Sequence, residues 1–201
     1  INVTEADRPV AKSFYEWMGS VVALDYPAAA GSFRVSPHAF FQVNRFLIDG
    51  LVERAIGDAS GERALDLYAG VGLFSIPLAR RFKNVTAVEA GSEANRDLEV
   101  NAERAGVTVE RVRARVEDFI ARSNATPDFI LADPPRAGLG KVVTANLNRI
   151  AAPRMAIVSC DPATLARDLA ALSKYKIESL TLIDLFPQTY HLETIAELRI
   201  V

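Results

Sequence analysis

Cysteine is almost absent from this chain: Cys160 is the only one in 201 residues. Neither an intramolecular disulfide nor a cysteine-built metal cage can form from a single thiol. Histidine is nearly as scarce, with His38 and His191 alone, so the expectation is no metal site. No run approaches the roughly 18 consecutive apolar residues that a membrane-spanning helix needs. Charge of one sign is not in excess either. The 23 Lys and Arg against 25 Asp and Glu leave a formal charge of −2, which is not the signature of a whole-surface nucleic-acid binder. The chain opens Ile1-Asn2-Val3 with neither Met nor a basic-then-apolar signal pattern, and the expectation is a cytoplasmic fragment of a longer protein. What remains is a chain that is 50% hydrophobic and 24% charged. That balance excludes disorder and fits one globular domain.

From about Gly61 onward, short apolar runs alternate with amphipathic stretches. Strands are predicted at 63–68, 85–89, 107–112, 129–133 and 155–159, and helices at 74–80, 93–105, 116–122, 141–150 and 163–172. Strands this uniformly apolar imply a parallel sheet covered by helices on both faces, an α/β fold. Two further β-rich runs, 177–185 and 194–201, have no helix between them and predict an antiparallel pair at the sheet edge. Before Gly61, residues 27–31 read as a turn, 32–35 as a short strand and 43–56 as an amphipathic helix. This part reads as a lead-in without its own core.

The segment Asp66-Leu67-Tyr68-Ala69-Gly70-Val71-Gly72-Leu73-Phe74 sits where the first strand hands over to a helix. Gly70 and Gly72 allow a tight turn and close backbone approach to a ligand. A dinucleotide fingerprint would place a third glycine where Ser75 stands. Glu89 ends the second strand, where its two oxygens suit the two hydroxyls of a ribose. That pairing favours an adenosine without phosphate, as in S-adenosylmethionine, over NAD.

Three later segments carry candidate chemistry. Asp133-Pro134-Pro135-Arg136 follows the fourth strand, and the prolines hold Asp133 extended and aimed into the cleft. Methyltransferases of exocyclic amines place an aromatic where this chain has Arg136, which argues against amine methylation. Cys160 follows the fifth strand and precedes a helix, a position expected to favour the thiolate through the helix dipole and free amide donors. Glu193 precedes an apolar run, so it is expected to be partly buried with a raised pKa, as a general base requires.

On these residues the chain resembles the S-adenosylmethionine-dependent RNA 5-methyluridine (uracil-C5) methyltransferases. Five blocks carry the resemblance in order: Phe40-Phe41-Gln42-Val43-Asn44, the Asp66–Phe74 loop, Asp133-Pro134-Pro135-Arg136, the run from Ser159 to Asp168, and His191-Leu192-Glu193-Thr194. The resemblance implies a Rossmann-like class I methyltransferase fold: a mostly parallel seven-stranded sheet with an antiparallel C-terminal edge pair. It implies Cys160 as the nucleophile that adds to C6 of the uracil and Glu193 as the base that removes the C5 proton. It further implies Gln42, Tyr68, Gly70, Gly72, Leu73, Glu89 and Asp133 around S-adenosylmethionine, and Phe40, Gln42, Asp133 and Arg136 around the base. Where relatives use Asn, Leu73 offers only its backbone. The acid near the adenine is left open among the strand-end neighbours Arg115, Glu117 and Asp118.

The implied domain division is 1–40 as a remnant of a central domain and 41–201 as the catalytic domain. Relatives carry an N-terminal RNA-holding barrel, and some an iron–sulfur cluster held by four cysteines, for which this chain lacks the residues. The expected partner is transfer or ribosomal RNA, bound by a monomer through local basic groups such as Arg34, Arg113, Arg115, Arg136 and Lys141. RNA cytosine-C5 methyltransferases are the chemical rival, but they carry a second cysteine where this chain has Asp133. A module that binds S-adenosylmethionine and RNA without turnover is the rival from another class.

Overall fold

The computed structural model describes residues 23–42, 44–124, 126–189 and 192–201. Two strands, β1 (Leu24–Ala28) and β2 (Gly31–Val35), form an antiparallel hairpin. They are followed by α1 (Ile48–Ile56), β3 (Gly61–Leu67), α2 (Ser75–Ala79), β4 (Phe82–Val88), α3 (Ser92–Ala105), β5 (Glu110–Val112) and α4 (Val116–Arg122). Then come β6 (Phe129–Ala132), α5 (Gly140–Ile150), β7 (Arg154–Ser159), α6 (Pro162–Ala171), β8 (Tyr175–Ile183) and β9 (Glu193–Ile200). Seven strands make one sheet in the order β5-β4-β3-β6-β7-β9-β8. The first five run parallel, and β9 pairs antiparallel with both β7 and β8. This is the α/β architecture expected from the sequence.

Side chains on a strand alternate between the two faces, and here both faces are covered. On β6, Phe129 and Leu131 face one core while Ile130 and Ala132 face the other. On β7, Ala156 and Val158 join the first core and Met155 and Ile157 the second. Helices α1 to α3 close the first side and α4 to α6 the second. Each fully buried Leu or Ile stabilises this layering by about 1.5–3 kcal/mol.

The structure corrects several boundaries. The first helix begins at Ile48, not 43, because the residues ahead of it form a turn: Leu47 N and Ile48 N both donate to Asn44 O. The run 27–31 is not all turn: Pro27 and Ala28 belong to β1, paired with Ser32 and Gly31. Proline is tolerated there because a two-stranded ribbon always leaves edge positions without a ladder bond. The third strand of the main sheet starts at Glu110, later than 107. The C-terminal pair is antiparallel as expected, but only β8 is at the edge, with β9 seated between it and β7.

The hairpin is locked onto α3 by buried polar groups. Asp97 is fully buried; its carboxylate accepts from Ser36 N at 2.6 Å, from Ser36 Oγ at 2.9 Å and from the Arg34 guanidinium. Asn101 accepts from Arg34 N and donates to Arg34 O and to Val71 O. One asparagine therefore ties β2 to the glycine loop. Among the described residues no helix is long and apolar enough to cross a membrane.

Candidate active site

Strand order turns back at β3: β4 and β5 extend to one side, β6 and β7 to the other. In such sheets ligands bind outside the carboxyl ends of the strands at this switch point. A cavity of about 950 Å³ opens there, at the upper end of the size range of small-molecule and cofactor sites.

The loop after β3 shapes its floor. Tyr68 has φ 64°, a left-handed conformation that a bulky side chain adopts only under constraint. Its ring packs into the second core and its buried hydroxyl has no protein partner. Burial, with the Glu117 and Asp168 charges, pushes this hydroxyl's pKa up. Gly72 has φ 96°, and a Cβ there would sit 3.2 Å from Leu98 Cγ, so this position needs glycine for turn and packing; Gly72 does not line the cavity. Gly70 lines the cavity and donates its N–H to Glu89 Oε2 at 2.9 Å, while Gly91 N donates to Oε1 at 2.6 Å. Glu89 is thus fixed at the rim, and each oxygen retains accepting capacity for a hydroxyl.

Below the loop, Asp66 is fully buried and accepts from Ser75 Oγ. Burial raises its pKa to about 7, with Ser75 opposing and Glu89 adding to the rise. The residue that breaks the dinucleotide fingerprint is therefore the hydroxyl that holds this acid.

Of the residues singled out from sequence, Phe40, Gln42, Tyr68, Gly70, Leu73, Glu89, Asp133, Arg136, Cys160 and Glu193 all line this one cavity. Gln42 and Glu193 are each about 4% exposed, and Gln42 Oε1 and Glu193 Oε2 have no protein partner. Burial pushes the Glu193 carboxyl up, as expected. Asp133 is pushed well above its ordinary value by burial and by the Glu193 and Asp66 charges.

Cys160 departs from expectation. Its thiol is held up, not lowered, by burial and by Glu193 and Asp133, with Arg136 opposing. The expected pull of the helix dipole is also met by another group at the start of α6. Asp161 caps that helix, its carboxylate accepting from Thr164 N at 2.8 Å, so the positive end of the helix is answered by a charge other than the thiolate. Arg34 is a second correction: its guanidinium is bound to buried Asp97 and serves the fold. Arg115, Glu117 and Asp118 do not line the cavity, and Arg115 lies 3.6 Å from Glu117. His191 and Val43 lie outside the described residues.

Lining residues that sequence reasoning did not assign to the site include His38, Glu93 and Phe186. Glu93 had a visible signal, a carboxylate four residues past Glu89 in the first turn of α3; among the described residues its buried Oε2 has no partner. Among the described residues no cluster of three His, Cys, Asp or Glu side chains is placed to hold a metal.

The fold is that of the S-adenosylmethionine-dependent methyltransferases. The chain superposes on a Pyrococcus abyssi tRNA (uracil-54, C5)-methyltransferase solved with S-adenosyl-L-homocysteine, with a TM-score of 0.81 and 33% identity over 88% of this chain and 44% of that one. A tRNA m1G37 methyltransferase of M. jannaschii shares the fold at TM-score 0.65 and 11% identity, covering 90% of this chain and 57% of that one. Residues 24–199 match the tRNA (uracil-5-)-methyltransferase family model, and the chain belongs to that family. An uncharacterized RNA methyltransferase of Streptomyces avermitilis is 40% identical over 84% of this chain and 41% of its own length. One from Thermosynechococcus vestitus is 38% identical over 82% of this chain and 38% of its own. The chain thus spans about two fifths of the length of these curated relatives.

Proposed function

We propose that this chain is the catalytic part of an enzyme that methylates C5 of a uridine in transfer or ribosomal RNA, with residues 41–201 as the catalytic domain and 1–40 as the lead-in from a central domain. One observation carries the reading: the Cys160 thiol and the buried Glu193 carboxyl share a single cavity with the glycine loop and Glu89. The cavity fits S-adenosylmethionine. Glu89 stands ready for ribose hydroxyls, Gly70 and Leu73 offer a close backbone approach, and the unpartnered Gln42 Oε1 is an acceptor in search of a donor. When bound, S-adenosylmethionine supplies an electrophilic methyl group.

Uracil C5 is a weak nucleophile, so the protein must activate it. The Cys160 sulfur adds to C6, forming the S–C6 bond, and the C5–C6 electron pair moves to C5 and onto O4. Once C5 carries the methyl group, Glu193 takes the C5 proton. The freed electron pair re-forms C5=C6, and the S–C6 bond breaks to release the thiolate. A carboxyl with its pKa raised by burial is matched to that proton transfer. Arg136 is the cation that favours the thiolate, and Asp133 sits against the base.

The experiment is to combine the protein with S-adenosylmethionine and RNA carrying 5-fluorouridine. Fluorine cannot leave as a proton, so a denaturation-stable RNA–protein adduct accumulates and is lost in Cys160→Ala. On ordinary uridine, Glu193→Gln traps the same adduct and slows turnover by about 10²–10⁴-fold. An adduct that persists in Cys160→Ala sinks the mechanism.

A further inference from the structure

Two aromatic rings ahead of α1 are left in water. Phe40 is 72% exposed and Phe46 is 81% exposed, while Phe41 turns inward against Tyr26 and Phe33. Phe40 lines the cavity; Phe46 does not. Phe46 stands on the turn that leads into α1, and its backbone is tied down. Asn44 Oδ1 accepts from Phe46 N at 3.1 Å, and Asn44 Nδ2 donates to Leu185 O at 2.9 Å. Leu185 adjoins Phe186, a wall of the cavity, in the connection between β8 and β9. The turn that carries the ring is therefore tied to a connection that contributes a wall residue to the cavity. The Arg45 guanidinium lies over this ring, 4.9 Å from its centroid.

Leaving a phenylalanine ring exposed forgoes about 1.5–3 kcal/mol of burial. A fixed exposed ring with a guanidinium on it is what single-stranded nucleic acids stack on, because every base has a π-face and every linkage a negative charge. A protein-docking face would need a wider apolar area, yet Asn44 and Arg45 precede the ring and Leu47 is only 38% exposed.

We infer that Phe46 and Arg45 form a stacking platform for an unpaired RNA base adjacent to the one that enters the cavity. The inference rests on the RNA-methylating reading above. The platform binds the strand outside the pocket, so the energy of stacking a neighbour offsets part of the cost of turning the target base out.

The test uses single-stranded RNA with one uridine flanked on both sides by 2-aminopurine, whose fluorescence is quenched on stacking. Phe46→Ala is expected to weaken RNA binding on the order of tenfold and abolish the quench. Phe46→Trp restores both, and affinity for S-adenosylhomocysteine and the melting temperature stay at wild-type values. Arg45→Gln weakens binding less and flattens its salt dependence. Wild-type binding and quench in Phe46→Ala overturn the platform, as does a wild-type chain that binds no such RNA. A change in sedimentation of Phe46→Ala with unchanged RNA binding reassigns the ring to self-association and overturns it too. The 5-fluorouridine adduct is scored separately. Its absence with the quench intact refutes the chemistry and spares the platform; its presence with no quench does the reverse.

Discussion

At the scale of single residues, the site is a contest over ionisation. Cys160 has two carboxylates raising its pKa and one guanidinium lowering it, and burial adds to the rise. The resting state at neutral pH is the thiol, and the proposed mechanism requires the thiolate to form for attack. Alkylation by iodoacetamide, followed across pH, reads this directly because only the thiolate reacts. Glu193→Gln moves the alkylation profile to lower pH, and Arg136→Ala moves it to higher pH. A profile that neither change moves would remove both groups from contact with the sulfur. Asp66 makes a second claim, on stability. Its pKa is about 7 when folded against an unfolded value of 3.8. Between those values the native state holds the proton that the unfolded state has lost, so this group's contribution to stability is fully present below about pH 4 and is lost as pH rises to about 7. The slope from this group reaches about 1.4 kcal/mol per pH unit, and Asp133 acts in the same direction. Asp66→Asn is expected to flatten that decline, measured by urea unfolding at pH 5 and pH 8.

At the scale of elements, what is legible in the sequence is what neighbouring residues decide. The β-α alternation after Gly61, the glycine turn with its following Glu89, and the strand-end placement of Cys160 are all local patterns, and all are found. The start of α1 was not legible, because Asn44 ends the turn by reaching Leu185, 141 positions away. The raised Cys160 thiol was not legible either, since its opposing charges come from the ends of β6 and β9. The place of β9 between β7 and β8 hides in composition: β9 is buried along most of its length, whereas no residue of β8 is fully buried. The hairpin offers a sharper test. Removing the Asp97 carboxylate strands Ser36 and Arg34, groups it alone satisfies in the buried interface between β2 and α3. Asp97→Ala is expected to cost about 3–5 kcal/mol, a fall of roughly 6–20 °C in melting temperature. A melting temperature within a degree of wild type would show that the Asp97 contacts do not hold the hairpin.

At the scale of the whole molecule, two functions divide between the two halves of the sheet. The β3–β4 side carries the glycine loop and Glu89, the elements proposed to hold the cofactor. The β6–β7–β9 side carries Asp133, Arg136, Cys160 and Glu193, the elements proposed to act on the base. The cavity is where the halves meet, so cofactor affinity and nucleophile reactivity are separable by mutation. Glu89→Ala is expected to weaken S-adenosylhomocysteine binding about tenfold or more, read by calorimetry, since it removes two charge-assisted contacts. The same change leaves the Cys160 alkylation profile in place, because Glu89 is not among the groups that act on the sulfur.

The seating of β9 also sets an order of events during folding. Synthesis delivers β8 before β9, yet β8 has no partner in the sheet except β9. Until β9 arrives, β7 ends the parallel core with an open edge and β8 has no ladder to join. Glu193 is the first residue of that last strand. The pairing of β9 with β7 therefore also brings the proposed base to the cavity that Cys160 lines, so the two proposed catalytic groups share a site only once this strand is seated.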